Sequence, residues 1–495
     1  MNLPLPTSSA SWSRLKIGVA LVSLACAAGC TTVGPNFLAP KAALPSVWSL
    51  HQQAGTASTP TLQAVETMWW RSFGDPTLDS LIQRAVDSNL DVKVATSRVL
   101  QSRTARSIVN SASMPTLNGS ASVTRAGAAP VARLANSDEV LPGVQGSGPA
   151  TLYRYGFDAS WELDFWGRTK RAFESADARG TAAEANRHAV ILTVLTETAA
   201  NYVQLRATQA THASVSEVLA LARQSLQLTE LRRKAGAATE LETAEAAAQL
   251  GTIEAQLPEL EEQEERLMNA LALLLGEAPG TLSEQLRTAA PIPPVPAHMP
   301  VGLSSDLARR RPDIRQAEAM LHAATADIGV AEADFYPSIS LTGGFSMNPL
   351  SFGSLGDWDS RRFGIGPSLN LPIFQGGRIT RTVELRKAQQ QEAALLYQKT
   401  VLNAWHEIDD ALIAYGSVQR RRSILNGTLD NNRVAYKAAL ARYKGGAATF
   451  LDVLLTQRGL LDAQTALVRS NADVSLVAIR LYKALGGGWE IAPAA

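Results

Sequence analysis

Two patterns of hydrophobic and polar residues run through the chain, and each occurs twice. After Pro115, Leu117, Gly119, Ala121 and Val123 alternate with polar residues. After Pro337, Ile339, Leu341, Gly343 and Phe345 do the same among polar or small neighbours. Strict alternation predicts a strand with two unlike faces. Second strands are predicted at about 154–165 and 363–373. In the first of these, Phe157, Ala159, Trp161, Leu163 and Phe165 alternate with Asp158, Ser160, Glu162 and Asp164. One face is apolar and the other acidic, at the length of a transmembrane β-strand. A half-buried strand of a soluble sheet shares that pattern, and length alone does not separate the two.

The second pattern is helical. Opening helices are predicted at about 80–112 and 303–335, stopped by Pro115 and Pro337, because proline lacks the donor a helix needs. Longer helices follow the strands. Neither 168–234 nor 378–444 contains a proline. At about 1.5 Å per residue, each would reach about 100 Å if continuous. In the returning segment Ile253, Leu257, Leu260, Leu267, Leu271 and Leu274 keep alternating steps of four and three, with Glu264 as the single polar break. That is a coiled-coil seam.

The order helix, two strands, two long helices therefore repeats, and individual residues repeat with it. Asn89-Leu90-Asp91-Val92 answers Arg311-Pro312-Asp313-Ile314, and Pro115 answers Pro337. Gly167-Arg168 answers Gly377-Arg378, and Glu197 answers Glu407. Gly236-Ala237-Ala238-Thr239 is identical to Gly446-Ala447-Ala448-Thr449, and Leu275-Gly276 matches Leu485-Gly486. One tetrapeptide could arise by chance; ordered landmarks across both halves do not. The chain is two copies of one unit of roughly 200 residues. The expected division is 1–29 signal peptide, 30–66 extended anchored segment, 67–290 first repeat and 291–302 Pro-rich linker. The second repeat at 303–486 and a tail at 487–495 complete it. Strands are placed at about 115–124 and 154–165 in the first repeat, and about 337–346 and 363–373 in the second.

Composition narrows the function. Lys+Arg number 46 against 45 Asp+Glu, a net charge of +1, so there is no basic footprint for nucleic acid. Hydrophobic residues make up 46%, too many for a disordered chain. After residue 30 no apolar run approaches the roughly 20 residues of a membrane-spanning helix. The start reads as a secretory signal: Arg14 and Lys16, then an apolar stretch at 17–25 too short to span. Ala28-Gly29-Cys30 resembles a bacterial lipobox, with Ala27 where Leu is usual, so Cys30 is the expected lipidation residue. Cys26 is a weaker candidate, and an ordinary signal with an incidental cysteine is the alternative. Thr31 follows where an inner-membrane retention signal would carry Asp, which suggests outer-membrane sorting. Cys26 and Cys30 are the only cysteines, so the exported chain relies on packing rather than disulfides.

Four membrane-type strands cannot close, since the smallest barrels use about eight. An open sheet edge in lipid leaves backbone groups unpaired. Strands that cross a membrane here must be shared between chains: two chains would give a filled lumen, three a channel. The residues that carry a family resemblance are Cys30-Thr31-Thr32-Val33-Gly34-Pro35-Asn36-Phe37, the prolines before the strands, Phe374-Gln375-Gly376-Gly377-Arg378, and Arg442-Tyr443-Lys444-Gly445-Gly446-Ala447-Ala448-Thr449. With the tandem unit they resemble the TolC-like outer-membrane efflux channel family, and within it the NodT-type lipoproteins of resistance-nodulation-division pumps. The likeness covers essentially the whole mature chain. It implies a mainly α fold with a small transmembrane β-barrel: a homotrimer with a twelve-stranded barrel and a periplasmic α-helical barrel. It also implies a periplasmic adaptor protein, an inner-membrane pump and outer-membrane lipid as partners.

The same resemblance assigns roles at the far ends of the long helices. Gly236, Thr239, Gly446 and Thr449 are implied to lie in the periplasmic tip turns that meet the adaptor; glycine permits the reversal, and each Thr can cap the returning helix. Tyr443, Glu242, Asp452 and Leu455 are implied at or near the aperture. Ala448 and Leu455 stand where some members carry Arg and Asp, so an acidic ring at 455 is absent and the gate is more apolar. Glu242 and Asp452 read equally as acids favoured by a helix N-terminus. No cofactor or catalytic constellation is read. The histidines at 51, 188, 212, 298, 322 and 406 have no ligand spacing, and no nucleophile, phosphate-loop or zinc-protease motif occurs. Arg309-Arg310-Arg311 reads as a solvated helix edge, and Trp69-Trp70 as packing. The expected function is a gated passive exit duct for small molecules. The alternatives are a type I protein-secretion channel and an envelope lipoprotein scaffold without a pore.

Overall fold

The alternating segments form one antiparallel sheet. A computed structural model of the chain describes residues 32–40, 59–61, 63, 66–126, 150–301 and 310–491. Cys30 and the predicted start of the second opening helix lie outside the described residues, as does most of 126–149. In chain order the elements are β1 (Thr59–Thr61), α1 (Pro76–Ser88), α2 (Leu90–Ser111), β2 (Thr116–Ala126) and β3 (Ala150–Leu163). Then come α3 (Arg168–Lys234), α4 (Glu240–Glu254), α5 (Leu257–Leu274), a single turn at Ser283–Leu286 and β4 (His298–Pro300). The second half has α6 (Pro312–Ala333), β5 (Ser338–Met347), β6 (Arg361–Asn370), α7 (Arg378–Lys444) and α8 (Phe450–Leu485). No helix among the described residues is long and apolar enough to cross a membrane. α3 and α7 are unbroken over 67 residues each, as the proline-free runs require.

The chain forms two compact units. The first comprises Met1–Ala39, Gln101–Gly180 and Ala319–Ala394. Its sheet has the order β2-β3-β5-β6. Register sets Gly119 opposite Phe157, Phe157 opposite Phe345 and Phe345 opposite Phe363, so these stand on one face. Asn118, Asp158 and Gly344 line up on the other. The apolar face is bare: Phe363 is 78% and Ile365 81% exposed. β2 and β6 each have one edge with no strand partner among the described residues. Below the sheet, the segment after Cys30 is held by Arg171 on α3. Its guanidinium donates to the Val33 carbonyl at 3.0 Å, the Gly34 carbonyl at 3.1 Å and Asn36 Oδ1 at 2.8 Å. Phe37 stacks on His322 at 4.4 Å, and His322 meets Glu174 at 2.9 Å.

The second unit comprises Pro40–Leu100, Thr181–Glu318 and Leu395–Ala495. Trp69 is fully buried, stacks on Tyr482 at 4.8 Å and donates from Nε1 to the Gly487 carbonyl at 3.2 Å. Trp69-Trp70 is packing. Glu264, the polar break in the seam, meets His212 on α3 at 3.0 Å.

Several details differ from the sequence reading, among them Arg311, which is buried at 7% exposure and paired with Asp313 and Glu407 where a solvated helix edge was expected. The helix expected at 80–112 is two helices, because Asn89 leaves helical geometry and caps the second. Its Oδ1 accepts from Asp91 N at 2.8 Å and Val92 N at 3.1 Å. The returning helix of the first repeat is likewise split into α4 and α5, with Pro258 in the first turn of α5; proline there removes the bond back to residue 254. α8 has no such proline and is continuous over 36 residues. Finally, the Pro-rich linker carries β4, which pairs in parallel with β1. Two three-residue strands leave no periodicity to read.

Candidate functional site

The implied site is built where α3 turns into α4 and α7 into α8, within the second unit. Each turn closes the same way. After α3, Gly236 has φ +72°, its amide donates to Arg233 O at 2.9 Å, and Ala237 N donates to Arg232 O at 2.8 Å. After α7, Gly446 has φ +75°, its amide donates to Tyr443 O at 3.0 Å, and Ala447 N donates to Arg442 O at 2.8 Å. Positive φ is why glycine sits at both positions. These bonds answer carbonyls that a helix end leaves open.

The two threonines cap the returning helices. Thr239 Oγ1 accepts from Glu242 N at 3.3 Å, and Glu242 Oε2 accepts from Thr239 N at 3.2 Å, a reciprocal capping box. Asp452 Oδ2 accepts from Thr449 N and from Thr449 Oγ1, both at 2.9 Å. These bonds, the hydroxyl first, hold the Asp452 carboxyl below its ordinary range. Both acids are thus engaged as helix-start acceptors.

Tyr443 is the buried member of the set, 2% exposed. Its ring lies 5.4 Å from Phe450, within an apolar cluster that includes Leu429, Tyr436, Val453 and Leu460. Its hydroxyl makes no well-formed hydrogen bond among the described residues, and Glu242 is the acceptor close enough to act on it. Burial above all, then the nearby Glu242 carboxylate, raises that hydroxyl above the usual phenol range, against the opposing charge of Arg232. Tyr443 and Glu242 are therefore electrostatic neighbours, while Asp452 is tied to its own turn. Leu455 is 59% exposed and belongs to no such network.

Arg232 was not singled out from the sequence. Its guanidinium carbon sits 4.5 Å from the centre of the Tyr443 ring. Nη1 donates to the Tyr443 carbonyl at 2.6 Å and the Lys444 carbonyl at 3.4 Å; Nη2 donates to Ala237 O at 3.4 Å. A signal existed: Arg232 occupies the repeat position of Arg442, which donates to Ala447 O at 3.2 Å in its own turn. Among the described residues no group of three or more His, Cys, Asp or Glu side chains could hold a metal ion. The arrangement offers shaped, partly charged helix ends.

Comparison with known proteins agrees with this architecture. A family model described as outer membrane efflux protein matches residues 81–277 and 303–487. The pyoverdine export outer membrane protein OpmQ of Pseudomonas aeruginosa is 33% identical over 453 residues, 90% of this chain and 92% of that protein. Nodulation protein T of Rhizobium leguminosarum bv. trifolii is 31% identical over 467 residues, 93% of this chain and 95% of that protein. The solved outer-membrane channel OprN superposes with a TM-score of 0.83 at 32% identity, covering 92% of this chain and 99% of that one.

Proposed function

The chain belongs to the outer membrane efflux protein family, and on that premise we propose that it is the gated exit duct of a tripartite efflux pump. It is an outer-membrane efflux protein, of a family described by that efflux role and not by a catalysed reaction. The observation that carries the finer reading is the sheet: four strands, one bare apolar face and two edges without a strand partner among the described residues of a single chain. Lipid covers such a face without cost, but an unpaired edge in lipid costs several kcal/mol per group. Antiparallel pairing of β6 with β2 of a second copy removes the edges. Three copies supply twelve strands, enough for an open lumen. The helices then extend into the periplasm, and acylated Cys30 adds an anchor in the outer membrane.

In this reading the turns carrying Gly236, Thr239, Gly446 and Thr449 form the periplasmic tip and contact an adaptor protein, which links the duct to an inner-membrane pump. Tyr443, Glu242, Asp452 and Leu455 line or support the aperture. The duct is passive, and an adaptor that binds the open tip better than the closed one shifts the population between them. Export of pyoverdine by one relative supports small molecules as cargo.

Conductance in planar bilayers, with the mass of the detergent-solubilised mature protein, tests the proposal. A trimer with rare, small openings that widen on adding an adaptor is expected. A monomer without conductance under any condition overturns it.

A further inference from the structure

We propose that Arg232 is a positioning residue of the aperture: a clasp that binds the end of α7 to the turn after α3, so that the two turns of one protomer move as a single body. Three observations carry this. The last carbonyls of a helix have no partner within it, and Arg232 reaches from the other repeat to take two of them, those of Tyr443 and Lys444. The same guanidinium donates to Ala237 O in its own turn, so one planar fork spans both turns. Its face is seated on the Tyr443 ring, which is itself fixed against Phe450.

The repeat shows that this is more than capping. Arg442, at the equivalent position, donates to Ala447 within its own turn. The position equivalent to Tyr443 in the first repeat is Arg233, which is exposed and offers no ring. Only one half of the tandem unit therefore has both an arginine and an aromatic seat, and the coupling runs one way across the repeat. A lysine cannot substitute fully, since it presents a point charge instead of a fork. The inference rests on the gated-duct reading for its consequence, but the clasp itself is a matter of distances between two turns.

The test therefore reads distance and conductance separately. Spin labels are placed through Ala235→Cys and Ala447→Cys, both exposed positions, in the full-length mature protein diluted with unlabelled chains. Cys26 and Cys30 are the only native cysteines, and the parent chain serves as the labelling blank. A single narrow inter-label distance is expected. Arg232→Gln should broaden it, Arg232→Lys should broaden it less, and Tyr443→Leu, which removes the ring but keeps an apolar side chain, should broaden it if Arg232→Gln fails to fold. An unchanged distribution in Arg232→Gln and Tyr443→Leu overturns the clasp, whatever the conductance. Broadened distances with wild-type conductance leave the clasp standing and overturn the gating role of these turns. Broadened distances with more frequent openings support both.

Discussion

Asn89 and Arg311 occupy equivalent places in the two repeats, and each donates to a carbonyl at the end of its own repeat's last helix. Asn89 Nδ2 meets Leu274 O at 2.8 Å; Arg311 Nη1 meets Ala484 O at 2.9 Å. The glycines that follow have nearly the same backbone, Gly276 at φ +69° and Gly486 at φ +71°. Two unlike side chains thus fasten each repeat's opening helix to its closing one. Arg311 adds contacts that Asn89 lacks, to Asp313 and to Glu407, each at 2.7 Å.

Removing either fastener should destabilise the fold by an amount set by its own bonds. Asn89→Ala removes an N-cap and is expected to cost about 1–2 kcal/mol. Arg311→Leu loses charge-assisted bonds worth about 2–3 kcal/mol. The loss stays below that of a fully buried pair because Glu407 and Asp313 are 56% and 41% exposed and rehydrate. Thermal melting by circular dichroism in detergent ranks the two. A melting point unchanged in both variants removes the fastening role.

The segment after Cys30 should detach when its seat is altered. Gly34 has φ +88°, and a Cβ there would lie 2.4 Å from the Gly329 Cα, so no side chain fits. Gly34→Val and Arg171→Ala are both expected to expose residues 32–40 to limited proteolysis while the rest of the chain resists. Equal resistance of that segment in wild type and both variants contradicts the docking.

Mild acid should weaken the second unit through one histidine. His188 stacks on Trp489 at 4.3 Å, and its ring is depressed from 6.5 to about 4, first by burial and then by the Arg315 and Arg187 charges. A base whose folded value is depressed stays neutral in the fold but takes a proton in the unfolded chain. Its contribution is therefore complete above about pH 6.5 and is lost as pH falls toward about 4. Half-burial limits the loss to roughly 1–2 kcal/mol. The Arg84 guanidinium holds the Glu277 carboxyl below its ordinary range while burial raises that of Asp79, so comparison with a His188 variant is what isolates the histidine. Melting points between pH 7 and about 4.5 should drop more steeply in wild type than in His188→Phe. Parallel curves would assign the acid sensitivity elsewhere.

The legible parts of the molecule were those where one physical constraint acts on adjacent residues. Alternation exposed the strands because successive side chains face opposite ways. The tip turns were readable because positive φ selects glycine and an open helix start selects threonine followed by an acid, as at 236–242 and 446–452. The breaks at Asn89 and Pro258 were harder, since each is one residue inside a helical pattern that continues on both sides. Arg232 was marked only by its repeat equivalence to Arg442, and its role was hidden for another reason. Its partners at Tyr443 and Lys444 come from the other repeat, and nothing in the local sequence announces a guanidinium that reaches across.

Tyr443 allows a sharp distinction between hydroxyl and ring. In a gate held by a tyrosine hydrogen bond, Tyr443→Phe would open the aperture as much as Tyr443→Ala. The hydroxyl makes no well-formed hydrogen bond among the described residues, with Glu242 the acceptor that acts on it, whereas the ring touches Phe450 and seats Arg232. Tyr443→Phe is therefore expected to conduct like wild type, with stability within about 1 kcal/mol, because the hydroxyl it removes is not held in a well-formed hydrogen bond. Tyr443→Ala leaves a cavity in the cluster and should cost about 3–5 kcal/mol locally, freeing the α7 end and raising the frequency of openings. Asp452→Ala removes acceptors used by Thr449 alone and should not increase openings. Single-channel recordings of the three variants decide the matter: openings raised equally in Phe and Ala would place the closed state in the hydroxyl, and openings raised in Asp452→Ala would place it in the carboxylate.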